Sequence, residues 1–464
     1  MSTSELRNAL IHAVGADAVT FSPDHNPDDL HDESLHPSTV VPFAVVRPAS
    51  TSEVAAVAAL ASAYRVAVTP RGSGTGLSGA ATPVNDGIVI SFDRMNRLLR
   101  LDADDHMAVV QPGLSLRELN DELRQSDLRY PVYPGELSGS LGGNVNTNAG
   151  GMRAVRHGVT RHHVVGLELV LIDGTVIRTG GPVVKSSSGY DLTQLVIGSE
   201  GTLALVTEIT LKLSPSMPFT TTVLVPFAAL DQVARAVPRI VGSGLEPSIL
   251  EYIDVMVMAA ITSSAGIELG VSASVATETA AYLVIVLETR TTEQLERDVT
   301  DLAALLGDAG ALDVYVLPDG AATRLIEARE RVFWVSKAAG SNDITDVVVP
   351  RSKVPQFLAG AASLAVRYEA FITGCGHVGD GNVHIAVFQP DGERRERFLY
   401  ELFEFGLELG GQISGEHGIG RDKQRAFLAL SDKSLLDLQR RIKRAFDPEQ
   451  LLNPYRLLDE RPLP

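Results

Sequence analysis

From Pro42 onward the apolar positions switch between a period of two and a helical period. VPFAVVRP and RVAVTP are short strand-like runs. Between them Val54, Val57, Ala58 and Ala61 mark one face of a helix, entered by Ser50 and Glu53 as a capping box. GIVISF, MAVVQPG, a short helix from Ser115, VVGLELVLIDG with its Asp173–Gly174 turn, and LVTEITLKLSP complete an α+β stretch ending near Pro215. A second register starts near Phe219, where TTVLVPF, AALDQVARAVPRIV, ILEYID, YLVIVLETR, TEQLERDVTDLAALLG and LDVYVLP alternate strand and helix. That order predicts an antiparallel sheet covered by helices on one face. DITDVVVPR, the helix SKVPQFLAGAASLAV and a strand–loop–strand carrying His377 and His384 extend it. In SDKSLLDLQRRIKRAF, Leu435, Leu438 and Ile442 fall on one predicted helical face, and DPEQLLNP stops the helix. Ahead of Pro42, the polar run SPDHNPDDLHDESLHP contains His25, His31 and His36 and reads as a solvated turn region.

Composition adds bounds. The 464 residues exceed one compact core, so two domains are the default. Hydrophobic residues at 45% and charged residues at 21% are ordinary for a soluble globular chain. A net charge of −17 argues against nucleic acid as a partner. The single cysteine, Cys375, forms no internal disulfide and suits a reducing compartment. It reads as a small buried neighbour of the His377 loop. The first residues carry acidic side chains and no long apolar run, unlike a signal or transit peptide. No stretch reaches the roughly 20 apolar residues of a membrane helix. A cytoplasmic protein is expected, with peripheral membrane association left open.

The candidate chemistry lies in four glycine-rich segments. PRGSGTGLSGA (residues 70–80) places Gly72, Gly74, Gly76 and Gly79 among Ser73, Thr75 and Ser78, a composition able to form a nest of N–H groups around phosphate. It is neither a Walker loop nor a Rossmann fingerprint. Alone it divides evenly between phosphate binding and a structural turn. SGSLGGNVNTNAGGMRAVRHG (residues 138–158) brackets Asn144, Asn146 and Asn148 with glycines, so a flat ligand can approach the backbone. The other two are GHVGDGNVH (residues 376–384) and GEHGIGRDK (residues 415–423). Two imidazoles, a carboxylate and a further imidazole are the makings of a metal site with a base beside it. On its own, Arg329 reads as a surface ion-pair partner among Glu327, Glu330 and Arg331. Phe333 and Trp334 read as core or pocket wall, and His157, His162 and His163 as surface or supporting residues.

The segments at residues 70–80 and 138–158, followed by GSEGTLALVTEITL (residues 198–211), resemble in order the FAD-binding domain of the vanillyl-alcohol oxidase superfamily. The second half resembles its FAD-linked 2-hydroxy-acid dehydrogenase branch: D-lactate dehydrogenases, glycolate oxidase catalytic subunits and D-2-hydroxyglutarate dehydrogenases. The resemblance implies an α+β fold with a p-cresol methylhydroxylase-type (PCMH) FAD-binding domain over residues 1–217. A substrate (cap) domain with an antiparallel sheet would span residues 218–425, and residues 426–464 would return to the FAD domain. Arg71, Gly72, Ser73, Gly74, Thr75, Gly76, Leu77 and Ser78 would hold the pyrophosphate. Pro134, Gly135, Ser138, Gly142, Gly143, Asn148, Gly150, Gly151, Gly198, Glu200 and Gly201 would line the flavin and ADP portions, with Asn453 returning to touch them. His377, His384 and Glu416 match the branch's divalent-metal ligands, with zinc, manganese and iron all suited. His417 matches its catalytic base, Arg329 its substrate-carboxylate arginine, and Asn382 stands as a substrate-contact candidate. No histidine or cysteine stands out for covalent attachment, so dissociable FAD is expected.

The branch members that act on 2-hydroxyglutarate carry a lysine where DITDVVVP has Ile344. Phe333 replaces an expected threonine, and Ala386 an asparagine. An unpaired distal carboxylate is costly among such residues. D-Lactate, glycolate or a 2-hydroxy acid with an apolar side chain is therefore favoured over a dicarboxylate. A colourless metal hydrolase would leave the first two glycine-rich segments unexplained. A merely flavin-binding subunit would lack the metal and base residues. One cysteine and no haem motif mean that electrons pass to a separate acceptor: a quinone, a cytochrome, an electron-transfer flavoprotein or dioxygen. A homodimer is one candidate assembly.

Overall fold

The computed structural model describes residues 3–36 and 40–459. Two sheets occupy the N-terminal half. The first runs in the order Val19–Phe21, Ala44–Val46, Ile88–Ser91, Val68–Arg71, with its last three strands parallel. Helix Thr51–Tyr64 covers it through the buried Val54, Val57, Ala58 and Ala61. Ser50 caps the helix by accepting from the Glu53 N–H, while the Glu53 carboxylate reaches back to Ala49 N. The second sheet is antiparallel, ordered Leu98–Asp102, Met107–Val110, Leu205–Lys212, Val164–Val170, Val176–Gly180.

The C-terminal half is built on one seven-stranded antiparallel sheet. Its order is Tyr315–Val316, Phe219–Phe227, Ala281–Thr289, Ile249–Asp254, Phe371–Gly376, Asn382–Phe388, Asp343–Val348. Val223, Val225, Leu283, Ile285 and Val383 alternate into one core, beneath helices Leu230–Gly242, Thr292–Asp308, Val354–Arg367 and Gly392–Glu408. Leu224, Ile253, Val284 and Cys375 face the other way, under helices Val255–Ala265 and Asp319–Glu330. Helices therefore cover both faces, not one. The cause is visible in Ala281–Thr289, buried at every position: a strand apolar on both sides needs cover on both. The functional side chains emerge on this second face.

Two further expectations change. On helix Lys433–Phe446 the inward residue is Leu436, with Ile442 and Phe446 packing on the core, whereas Leu435 and Leu438 are exposed. The apolar spacing was real, but the helix is rotated so that its neighbours receive the adjacent residue. The polar run at residues 22–36 is not simply solvated: Asp29, Asp32 and Ser34 are buried. It crosses the glycine-rich turn, where Glu33 N donates to Gly76 O and Ser34 Oγ to Asp422.

Candidate active site

The turn at residues 70–80 leaves strand Val68–Arg71 and is tied to the start of helix Leu141–Thr147. Ser73 N donates to Ser140 Oγ at 3.2 Å, and Ser140 N returns a bond to Ser73 Oγ at 3.1 Å. Gly72 is required there, because a Cβ would lie 2.1 Å from Ser140 Oγ. The resulting cleft is lined by Arg71, Gly72, Ser73, Gly74, Thr75, Gly76 and Leu77. Pro134, Gly142, Gly143, Asn144, Asn146, Glu200, Gly201 and Asn453 also line it. Asn144 Nδ2 and Asn453 Oδ1 are buried without a hydrogen-bond partner among the described residues. Close backbone approach and unspent amide groups together fit FAD.

Several expected cofactor residues serve elsewhere. Arg71 lines the cleft, but its guanidinium donates to His31 O and Asp28 O of the crossing segment. Glu200 accepts from Ile419 N and Gly420 N at 2.7 Å each, tying the first domain to the second histidine loop. Ser78 Oγ does likewise, donating to His417 O and Gly418 O at 3.0 Å. Ser138 is exposed and bonds Glu136. Asn148 is the left-handed cap of helix Leu141–Thr147 and accepts from Arg161 N. Gly198 N donates to Val145 O. Gly151, at φ +113°, lets the chain pass Tyr133, whose carbonyl would lie 1.9 Å from a Cβ. A Cβ on Gly150 would press on Glu416 Oε2 at 3.1 Å, and Gly135 borders the adjoining pocket.

That pocket is roofed by helices Asp319–Glu330 and Val332–Ala338. His377 sits in the turn after strand Phe371–Gly376, and His384 on strand Asn382–Phe388. Glu416 Oε1 lies 3.2 Å from His377 Nε2 and 3.3 Å from His384 Nε2. Among the described residues, ligand atoms of His377, His384 and Glu416 lie within 4.8 Å of one another. Burial alone would lower the His377 pKa, but Glu251 and Glu416 more than reverse this, so the place favours positive charge. Burial, with the His377 charge, holds His384 well below its usual value, which keeps it a neutral donor. His384 Nδ1 is buried and unpartnered among the described residues. This set fits a divalent cation.

His417 stacks on His384 with ring centroids 5.1 Å apart. Burial lowers its pKa, leaving it neutral. Its Nδ1 lies 3.8 Å from the Asp346 carboxylate, and its Nε2 lies 3.7 Å from Glu416 Oε1. Two carboxylates without any sequence motif organise the group. Glu251 is fully buried; its Oε1 meets His377 Nδ1 at 2.6 Å, and its Oε2 meets Arg329 Nη2 at 2.7 Å. Asp346 Oδ2 collects the N–H groups of Gly415, Glu416 and His417, while Lys423 pairs with Oδ1. Asn382 does not line the pocket; its amide donates to Asp346 O and Val347 O. That role packs two strands, so a substrate contact is withdrawn. Arg329 is not the surface residue that its acidic neighbours suggest, but is buried in the pocket wall. Glu416 and His417 line both cleft and pocket.

Comparison with known proteins agrees with this architecture. Residues 42–180 match the FAD binding domain, and residues 217–457 the C-terminal domain of FAD linked oxidases. The chain is 50% identical to an FAD-linked oxidoreductase of Mycobacterium tuberculosis H37Rv, covering 97% of this chain and 98% of the relative. It is 35% identical to the glycolate oxidase subunit GlcD of Bacillus subtilis, over 90% and 89% of the two chains. It is also 35% identical to a D-lactate dehydrogenase of Anaerostipes hadrus, over 93% of each. The fold is that of solved p-cresol methylhydroxylase, at a TM-score of 0.80 and 17% identity over 98% and 96% of the chains. No described helix is long and apolar enough to cross a membrane. The chain thus belongs to the FAD-linked oxidases, the family of the D-lactate dehydrogenases and glycolate oxidase subunits that it matches over nearly its whole length.

Proposed function

We propose that this chain oxidises a 2-hydroxy monocarboxylic acid, of the D configuration where C2 is a stereocentre, with D-lactate and the achiral glycolate the smallest, to the 2-oxo acid. The observation that supports it is the meeting of Glu416 and His417 with both the cofactor cleft and the pocket holding Arg329, His377 and His384. Non-covalent FAD, held by the 71–77 turn, Asn144 and Asn453, supplies the acceptor for the hydride of the alpha carbon. A divalent cation at His377, His384 and Glu416 supplies charge that lowers the pKa of the substrate hydroxyl.

The remaining work falls to the chain itself. Asp346 favours a proton on His417 Nδ1, so the Nε2 lone pair is free to accept the hydroxyl proton. Arg329 presents a planar guanidinium to the substrate carboxylate, fixed from behind by Glu251. Buried walls exclude water from the reacting carbon.

The test is an anaerobic visible titration of the purified protein with D-lactate, L-lactate, glycolate and D-2-hydroxyglutarate, with and without a chelator. Bleaching of a flavin band by a D-monocarboxylate, abolished by the chelator, is expected. A flavin that no hydroxy acid reduces would refute the substrate class, and bleaching indifferent to the chelator would refute the cation.

A further inference from the structure

The pocket beside His384 is lined largely by apolar side chains, Val257, Val332, Phe333, Trp334, Ile344 and Ala386 among them, whereas lactate offers it a single methyl group. Part of the cavity adjoins the cofactor cleft, with which it shares Thr75, Leu77, Pro134, Glu416 and His417. The rest extends along the sheet away from the reacting groups.

Strand register fixes how this extension is lined. Asp346, His384 and Cys375 are Cα partners in one row across three strands. Ile344, Ala386 and Thr373 form the row two residues along, so they project from the same face. Two residues of strand separate the rows by ~7 Å. The first row carries reaction chemistry; the second carries a branched aliphatic group, a methyl and a threonine. Across the cavity stand Phe333 and Trp334, edge to face with centroids 5.3 Å apart, and Val257. A methyl group on the reacting carbon does not reach this second row. An isobutyl or benzyl group does.

Charge points the same way. Among the described residues, Arg329 is the one lysine or arginine lining the pocket, and Glu251 already pairs with it. The other charged groups of the outer wall, Glu136 and Glu330, are acidic, and a second substrate carboxylate would meet like charge without a counter-ion.

We propose that the preferred substrate is a D-2-hydroxy monocarboxylic acid whose C2 substituent is a branched alkyl or benzyl group. It seats against Ile344, Ala386, Phe333 and Trp334. This inference rests on the reaction proposed above and specifies its substrate; the balance is unchanged, one hydroxyl proton to His417 and one hydride to FAD.

The test compares glycolate, D-lactate, D-2-hydroxy-4-methylpentanoate, D-3-phenyllactate and D-2-hydroxyglutarate in the holoenzyme. Each methylene buried is worth about fourfold, so isobutyl in place of methyl raises kcat/KM on the order of 50-fold. The products 2-oxo-4-methylpentanoate and pyruvate, titrated against the flavin spectrum, give the same order in Kd. Ala386→Phe fills the second row and lowers the isobutyl-to-methyl ratio at least tenfold. Ile344→Ala, a milder change, lowers it severalfold if the first variant fails to fold. Equal or better turnover of D-lactate or glycolate, or a preference for D-2-hydroxyglutarate, overturns the inference while leaving the reaction intact. Ratios unmoved by either variant also overturn it. Flavin reduction by none of the five acids overturns the reaction and the inference together.

Discussion

Replacing Glu251 by glutamine keeps the shape of a fully buried side chain and removes only its charge. In the native protein, burial alone would raise the carboxyl's pKa, and the pull of His377 and Arg329 outweighs it, so the group is ionised. Two opposite charges ~4 Å apart interact by about 4 kcal/mol at an effective dielectric of ~20. Deleting one member of a buried pair costs about 3–5 kcal/mol, because the other stays buried uncompensated. Here that member is Arg329, only 7% exposed. The same carboxylate faces His377 Nδ1, so its loss also weakens the imidazole as a ligand. For such supporting carboxylates the loss of metal affinity is about 10–100-fold. Glu251→Gln is therefore expected to raise the metal Kd by that factor in a chelator competition. In denaturant it is expected to unfold about 3 kcal/mol earlier. Adding Arg329→Met restores most of the stability but none of the metal affinity, which separates the two roles. A variant whose metal Kd moves less than about threefold, with stability within about 0.5 kcal/mol of the parent, would refute the bridging role.

His417→Gln lowers the rate of flavin reduction by about 10²–10⁴-fold with FAD content unchanged; stopped-flow absorbance checks it, and a loss under tenfold refutes the base. Ile344→Lys supplies a cation to a distal carboxylate, so kcat/KM for D-2-hydroxyglutarate rises about 10–100-fold; no gain in steady-state turnover counts against the position of Ile344 in the pocket. Glu288 accepts a bidentate pair from Arg129 at 2.6 and 2.9 Å, joining the large sheet to the N-terminal half. Burial raises its pKa, but Arg129 and Arg153 bring it below the ordinary value of 4.5, so its stabilisation is present above pH 4.5 and lost as pH falls through the lower folded value. Glu288→Gln is expected to cost about 3 kcal/mol at pH 7, with the difference closing below pH 4.5 in denaturant titrations at stepped pH.

What the sequence revealed follows the distance over which each signal acts. The glycine turns, the two histidine loops and the alternation of strand and helix are local, so spacing alone placed them. Arg329 required the resemblance, since its neighbours in the chain are acidic and its true partner is Glu251, far away in sequence. Glu251 and Asp346 carry no motif at all. Each reads as an ordinary polar position within a strand, and only strand pairing brings it to the histidines. The same blindness misplaced Asn382, whose position inside a histidine motif suggested substrate while its amide bonds the neighbouring strand. It also hid the burial of residues 29–34, because a polar segment is stable inside only when another segment offers partners. Arg71 and Asp422 are those partners, and neither is near in sequence. Local motifs thus named groups that line the cleft and the pocket. The buried charges that orient them belong to the topology. Asp346 is the register partner of His384, and Glu251 lies on the strand paired with the one that leads into His377, so sheet pairing and not local sequence brings each carboxylate to a histidine.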